Sequence, residues 1–566
     1  MKCLALVLAG SLAVVTITAR AQTPVRITPQ LVGFSVVEAT LYDMERAMRQ
    51  NRVTSKELVL QSFARILVYK SLLNPVISIN PAAIDEAEQR DLERARGFVR
   101  GPLHGIPIAV KDNMNTTFVP TTGGALAFAG FTPPYDATLV TNLRNAGAVI
   151  IAKTVMTELA NWVTNGMPGN YSAVGGYGLS PYDPRRDPRP GTDDGRPAMN
   201  VGGSSSGIGT AASLWLANVG TETSGSILSP SNQNMLVGIK PTVGRISRWG
   251  IIPITADQDT AGPMARTVND AAVLLGAMEG ADPHDPATTR CVPPPGQDYT
   301  RFLRLAGLRG KRIGIPRAFY YDPIVLPGNT TASGGLNAAQ AALMAQVIDV
   351  LKAEGAIVVD PANIPSVLDP VRENNNAVRG TCTGFKATDV DCSIDFKYGF
   401  KRDFNAYVAS LGPSAPVKSL TELRTFNTAN AANGAIKYRQ DLLDTSDEMD
   451  LAADLNRYNQ DRAKDIFVAD THGIREVMNA LRLDALLFPG SSSAAIAARA
   501  GFPTVGVPFG FIPNAPTPAF PAGFNAKDQP YGVGFTGLDC SEPTLLEIAY
   551  AFEQATRKRV PPPFTP

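Results

Sequence analysis

Two segments rich in glycine and serine carry the residue types that could do covalent chemistry. They are GGSSSG at 202–207 and GTETSGSI at 220–227. Glycines beside serines allow positive φ values and a close approach of the backbone to a ligand. Successive backbone N–H groups in such turns can stabilise an oxyanion. The apolar residues 211–219 between the two segments predict a buried connection rather than a pair of flexible linkers.

A serine nucleophile needs a neighbouring base, because its free hydroxyl is a weak nucleophile. The chain has only three histidines, His104, His284 and His472, which excludes most multi-histidine metal sites and leaves little room for a histidine-based triad. With histidine nearly absent, a lysine is the remaining type of base. Lys111 ends an apolar run, LHGIPIAV at 103–110, so a buried strand would carry one lysine at its end. A lysine acts as a base only when neutral, and burial can lower its pKa from about 10.4 to near 7.

An alternative interpretation uses Ser205. Residues 203–207 satisfy G-x-S-x-G, the nucleophile elbow of α/β-hydrolase esterases, with His472 as a candidate base. That motif follows a buried strand, whereas the preceding residues here are DGRPAMN at 194–200. The esterase interpretation therefore stays open as a less favoured alternative.

The motifs taken together resemble the amidase signature family. The resemblance covers nearly all of the chain after its N-terminal segment, in the segments 103–113, 202–207, 220–227, 240–244, 258–264, 535–537 and 549–553. It implies an α/β fold with a central mixed, twisted β-sheet covered on both faces by helices. It also implies a hydrolase that cleaves carboxamides of small molecules through an acyl-enzyme, with no metal or cofactor.

The resemblance also assigns site residues by motif position. Ser226 is the expected nucleophile, Ser204 the bridging serine in a cis peptide unit, and Lys111 the base. The expected oxyanion hole consists of the backbone N–H groups of Thr223, Ser224, Gly225 and Ser226. The hydroxyl of Ser204 can relay a proton because it donates and accepts at once. A cis peptide unit before a residue other than proline costs about 3–4 kcal/mol, so it would mark a strained functional turn.

One departure from the family pattern bears on the substrate. The commonest form near the nucleophile is GGSIR, whereas residues 224–228 read SGSIL. Leu228 removes a charge close to the site, which resembles the branch that contains the peptide amidases. A glutamine-amidase subunit of an amidotransferase is the other alternative within the family.

Interleaved helix and strand signals predict how these residues are positioned. A capping-box pattern at Thr54 begins one helix, and residues 81–100 predict a second. Short apolar runs at 103–110, 148–152, 312–315 and 484–489 predict buried strands. Residues 365–465 are polar and helix-prone, so we expect a helical insertion over the site within a single catalytic domain spanning 22–566.

The N-terminus predicts export. A lysine at position 2, an apolar stretch at 4–17 and the small-residue site at 19–21 are typical of a signal peptide over residues 1–21, cleaved after Ala21. An uncleaved anchor is the alternative. A secreted or periplasmic enzyme follows, without stable membrane insertion after cleavage, since no later run reaches 18 apolar residues. The balance of 52 basic and 51 acidic residues gives no indication of a nucleic-acid partner.

The cysteines fit an oxidising compartment. Cleavage after Ala21 leaves four of them, Cys291, Cys382, Cys392 and Cys540. Cys382 and Cys392 enclose a short loop next to a polar stretch, and we expect a disulfide between them, with buried free thiols as the alternative. No cysteine or histidine spacing predicts zinc. The sequence does not determine the oligomeric state.

Overall fold

A sheet of eleven strands runs through the molecule. The computed structural model describes residues 33–566, and the predicted signal peptide lies outside these residues. In chain order the strands are β1 (Val76–Ile79), β2 (Pro107–Lys111), β3 (Val149–Thr154), β4 (Ala217–Glu222), β5 (Val237–Lys240), β6 (Thr260–Ala265), β7 (Arg312–Gly314), β8 (Ile357–Val359), β9 (Ala485–Pro489), β10 (Thr504–Ile512) and β11 (Gln529–Thr536).

The sheet is mixed. Its spatial order is β1-β3-β2-β4-β6-β5-β10-β11-β9-β7-β8. The pairs β3/β2, β2/β4, β9/β7 and β7/β8 are parallel, and the other neighbours are antiparallel. Because β2 and β4 are parallel neighbours, their carboxyl ends meet at the same edge of the sheet.

Helices cover both faces of this sheet. They are α1 (Leu41–Arg49), α2 (Ser55–Leu73), α3 (Ala83–Ala95), α4 (Thr138–Asn145), α5 (Ile208–Ala211), α6 (Leu228–Gln233), α7 (Val268–Met278), α8 (Arg317–Tyr320), α9 (Ala338–Ala353), α10 (Pro365–Leu368), α11 (Asp395–Ser410), α12 (Leu420–Ala429), α13 (Asp441–Asp447), α14 (Leu455–Ile466), α15 (Arg475–Leu481), α16 (Ala494–Ala500) and α17 (Glu542–Thr556). A π-helix, Phe467–Ile474, connects α14 to α15. The predicted α/β class is confirmed.

Strand β2 shows why its residues form a buried strand. Ile108 and Val110 pack into one hydrophobic cluster, and Ala109 packs into another on the opposite face. Successive side chains of a strand point to opposite faces, so a strand with helices on both sides must be apolar throughout. Lys111, the last residue of this strand, therefore lies buried at the edge of the sheet.

The local signals of the first helices agree with the structure. Thr54 caps α2 and exchanges hydrogen bonds with Glu57 in a capping box. The helix predicted over 81–100 is shorter, spanning Ala83–Ala95. In the described part of the chain no helix is long and apolar enough to cross a bilayer.

Two disulfides join the four described cysteines. The predicted bridge between Cys382 and Cys392 is confirmed, with Cα atoms 5.1 Å apart. A second bridge, which the sequence did not indicate, connects Cys291 to Cys540 across 249 residues. The second bridge attaches the chain before α17 to the loop after α7.

Removing each bridge should destabilise the protein to a different extent. In the chain-entropy account, closing a 10-residue loop contributes about 3 kcal/mol and closing a 249-residue loop about 5.5 kcal/mol. We therefore expect the Cys291→Ser, Cys540→Ser double variant to lose more unfolding free energy than the Cys382→Ser, Cys392→Ser variant. Urea unfolding of the two variants tests this, and equal losses would contradict it.

Candidate active site

Lys111 and the first serine-rich turn are in direct contact. The Nζ atom of Lys111 lies 2.7 Å from Ser204 Oγ and 2.7 Å from Thr221 Oγ1, at the carboxyl ends of β2 and β4. Lys111 and Ser204 are both 0% exposed. The structure thus brings together two of the three predicted catalytic side chains inside the protein.

The surroundings of Lys111 favour its uncharged form. Burial lowers its pKa to about 7, although the negative charges of Asp259 and Glu222 partly oppose that shift. Thr221 Oγ1 also accepts a hydrogen bond from Asn113 Nδ2, at 3.1 Å. Thr221 Oγ1 thus accepts from both Lys111 and Asn113. A neutral Lys111 that donates to Thr221 still has one lone pair, which can accept the proton of Ser204.

Ser205 is a structural residue in the same turn. Its hydroxyl accepts the Thr221 N–H at 3.1 Å and donates to the Thr221 carbonyl at 2.9 Å. The ring of His472 is bonded elsewhere, to Asp369 at 3.0 Å and Glu476 at 2.9 Å. The esterase interpretation with a Ser205–His472 pair is therefore wrong, because tertiary packing gives each side chain other partners.

The expectation of a cis peptide unit at Ser204 is also wrong for this structure. Among the described residues the cis peptide bonds precede Pro361 and Pro518 only. Gly202, two residues earlier in the same segment, has a φ of +99°, and a Cβ atom there would lie 2.2 Å from the backbone of Pro230. Glycine adopts this conformation without a steric penalty.

Ser226 lies at the edge of this buried arrangement. It is 8% exposed, and its carbonyl accepts the Ser205 N–H at 3.2 Å, which joins the two serine-rich segments. In residues 33–566 its hydroxyl has no hydrogen bond to Ser204. Catalytic hydrogen bonds are often long before substrate binds, so the arrangement is compatible with a relay that closes in the complex.

The backbone after β4 presents donors next to Ser226. Within the described chain, the N–H groups of Thr223, Ser224 and Ser226 donate to no backbone carbonyl. The N–H of Gly225 likewise donates to no backbone carbonyl in this part of the chain. All four predicted oxyanion donors therefore lack a backbone acceptor, and their role stays a prediction.

Two buried carboxyl groups shape this loop. Glu222 Oε2 accepts the N–H groups of Ile227 at 2.7 Å and Leu228 at 2.8 Å, as expected for a residue that organises the turn. Asp259, which the sequence motif contained without a role, accepts from Thr223 Oγ1 and from the Ile254 N–H. Burial raises the pKa of Asp259 to about 7, so this carboxyl group is only partly ionised near neutral pH.

A cavity of about 320 Å³ is lined in part by Thr221, the residue that accepts a hydrogen bond from Lys111. Most of its walls come from the chain between β5 and β6 and from the middle of α11. Among the lining residues are Thr221, Thr223, Arg248, Trp249, Ile252, Ile254, Asp259, His284, Asp403 and Tyr407. Helix α11 lies within residues 365–465, where we expected an insertion, and its residues Asp403 and Tyr407 line the cavity. The apolar run at 502–509 does not line this cavity and contributes Phe502, Val505 and Phe509 to the core.

Known proteins with similar sequences share this architecture. A profile of the amidase family matches residues 57–546. The chain belongs to the amidase family. It is 35% identical over 540 residues to a probable amidase of Arabidopsis thaliana, which covers 94% of this chain and 92% of the relative. The amidase is also similar to the native peptide amidase from Stenotrophomonas maltophilia, with a TM-score of 0.77 and 35% identity over 94% of this chain and 99% of that one.

These findings confirm the amidase-signature fold and an enzyme that hydrolyses amide bonds. A more partial likeness is to one component of the glutamyl-tRNA(Gln) amidotransferase of Chloroflexus aurantiacus. That component is 35% identical over 363 residues, covering 62% of this amidase and 67% of the relative.

Replacing Lys111 should change how stability depends on pH. Its folded pKa is about 7 and its unfolded pKa about 10.4, so unfolding takes up a proton between these values and wild-type stability rises with pH there. Lys111→Met removes that contribution. We expect the variant to be more stable than wild type at pH 7, with the advantage shrinking by about 1.4 kcal/mol per pH unit towards pH 10.

Urea unfolding at several pH values measures this difference. Lys70→Met is the matched control, because Lys70 is exposed at the end of α2. An advantage of Lys111→Met that stays constant from pH 7 to pH 10 would show that Lys111 is charged in the folded protein.

Proposed function

We propose that the protein is an exported amidase that cleaves small carboxamides through an acyl-enzyme on Ser226. The observation that carries this proposal is the buried 2.7 Å contact between Lys111 Nζ and Ser204 Oγ. A lysine with a pKa of about 7 can take a proton near neutral pH, which an ordinary lysine cannot.

The proton and the electron pairs move in a closed cycle. Lys111 accepts the proton of Ser204 as Ser204 accepts that of Ser226, and the Ser226 oxygen attacks the substrate carbonyl. Backbone N–H groups of Thr223, Ser224 and Ser226 stabilise the oxyanion. The C–N bond breaks as the relay returns the proton to the leaving nitrogen, and ammonia or an amine departs. Water then attacks the acyl-enzyme by the same relay and releases the carboxylic acid.

The features around the site support unsubstituted amides, including C-terminal peptide amides, as substrates. The cavity has a volume suited to a small molecule and mostly apolar walls. The relative from Stenotrophomonas maltophilia is a peptide amidase similar over nearly its whole length. Leu228, buried at the start of α6, puts an apolar side chain where the commonest form of the family motif has an arginine. Measuring released ammonia and free amine separately distinguishes unsubstituted from substituted amides.

A glutamine-amidase role is the second candidate, favoured by the partial likeness to the amidotransferase component. The predicted signal peptide argues against this role, because tRNA-dependent amidation takes place in the cytosol and an exported enzyme would not meet tRNA. Hydrolysis of free glutamine that rises when an amidotransferase partner is added would favour this candidate over a secreted amidase.

Substitution of Ser226 tests the catalytic assignment. Ser226→Ala should lower amide hydrolysis by at least about 10³-fold and abolish labelling by a fluorophosphonate probe, because no oxygen remains to be acylated. Ser205→Ala is the matched control from the neighbouring turn and should keep labelling at Ser226. Labelling that persists in Ser226→Ala and disappears in Ser205→Ala would reverse the assignment.

Export is tested by the mass of the secreted protein. Expressed with its own N-terminus in a bacterial host, the chain should appear outside the cytoplasm beginning at Gln22. The intact mass of the recovered protein measures this. Retention of residues 1–21 on a membrane-bound product would support the uncleaved anchor instead.

A further inference from the structure

The backbone of the turn that carries Ser204 is held from one side by a single segment. The carbonyls of Gly203 and Ser205 both accept hydrogen bonds from Asn170 Nδ2, at 3.0 and 3.2 Å. The carbonyl between them, that of Ser204, accepts the Thr157 N–H at 3.1 Å. Three successive carbonyls of a buried turn thus find their donors outside the turn.

Asn170 is itself fixed in place. It is 0% exposed, and its N–H donates to Thr157 Oγ1 at 2.7 Å. Its φ is +56°, a conformation that asparagine adopts more readily than most residues. A Cβ atom at the preceding Gly169 would lie 2.5 Å from the Gly202 carbonyl oxygen, so this segment packs directly against the serine turn.

The chemistry of the side chain matches the two carbonyls. The amide nitrogen has two N–H donors, one for each carbonyl, whereas the amide oxygen has no partner in the described part of the chain. A carboxylate of the same shape would offer no donor and would repel both carbonyl oxygens. The position therefore demands an amide.

We propose that Asn170 is a positioning residue that sets the place of Ser204 relative to Lys111. It acts through the backbone, because Ser204 Oγ reaches the lysine only while the flanking carbonyls are held. This inference rests on the catalytic roles proposed above for Ser204 and Lys111. A displacement of about 1 Å in such a site can lower the rate by about 10²-fold.

The test compares Asn170→Asp with Asn375→Asp. Asn375 is an equally buried asparagine whose Nδ2 bridges two carbonyls, of Val367 and Asp369, away from the cavity. We expect Asn170→Asp to lower kcat by about 100-fold with KM within about three-fold of wild type. Asn375→Asp should keep kcat within about three-fold at a comparable loss of melting temperature. Equal losses of kcat in the two variants would overturn the inference.

A structural measurement makes the result independent of activity. In a crystal structure of Asn170→Asp, we expect the distance from Lys111 Nζ to Ser204 Oγ to exceed about 3.5 Å, the limit of a hydrogen bond. An unchanged distance would overturn the inference, whatever the activity of the wild type. Inactivity of the wild type on every amide would refute the proposed function and would leave this distance measurement valid. If Asn170→Asp fails to fold, Asn170→Gly accommodates the positive φ and removes the same donors.

Discussion

An uncharged amine kept next to serine hydroxyls in the protein interior is the constraint on which this active site depends. Lys111 is buried, and the surrounding protein excludes water from its amine. In water the amine would stay protonated at neutral pH, whereas burial lowers its pKa to about 7. The sheet provides that environment because parallel strands β2 and β4 end at one edge with helices on both faces. Lowering the pKa of this lysine costs stability at neutral pH, and in return part of the amine is uncharged there and can accept a proton.

Further buried polar groups surround this amine. One carboxylate oxygen of Glu222, Oε2, accepts two backbone N–H groups. Lys240 is a further buried group, and burial lowers its pKa to about 8. Asp259 connects the oxyanion loop to the wall of the cavity through Thr223 and Ile254. Each carboxyl group thus holds a loop in place, and their charges limit how far the pKa of Lys111 can fall.

Helix α11 forms part of the wall of the cavity next to Thr221. Tyr407 of α11 donates to Asn115 Oδ1 at 2.8 Å, and Asp403 accepts the Ala256 N–H at 2.7 Å. These contacts attach the helix to two loops, and both loops hold residues of the cavity wall. Changes in this helix can therefore alter substrate choice while the buried relay stays the same.

The sequence by itself determined the family, the α/β class, the apolar strand that ends at Lys111 and the bridge between Cys382 and Cys392. Each of these depends on residue type, local spacing or motif order. Only the tertiary structure decided the walls of the cavity, the clamp of Asn170 and the second disulfide. These features join residues far apart in the chain, and such contacts form only when packing brings the segments together, so no local pattern encodes them.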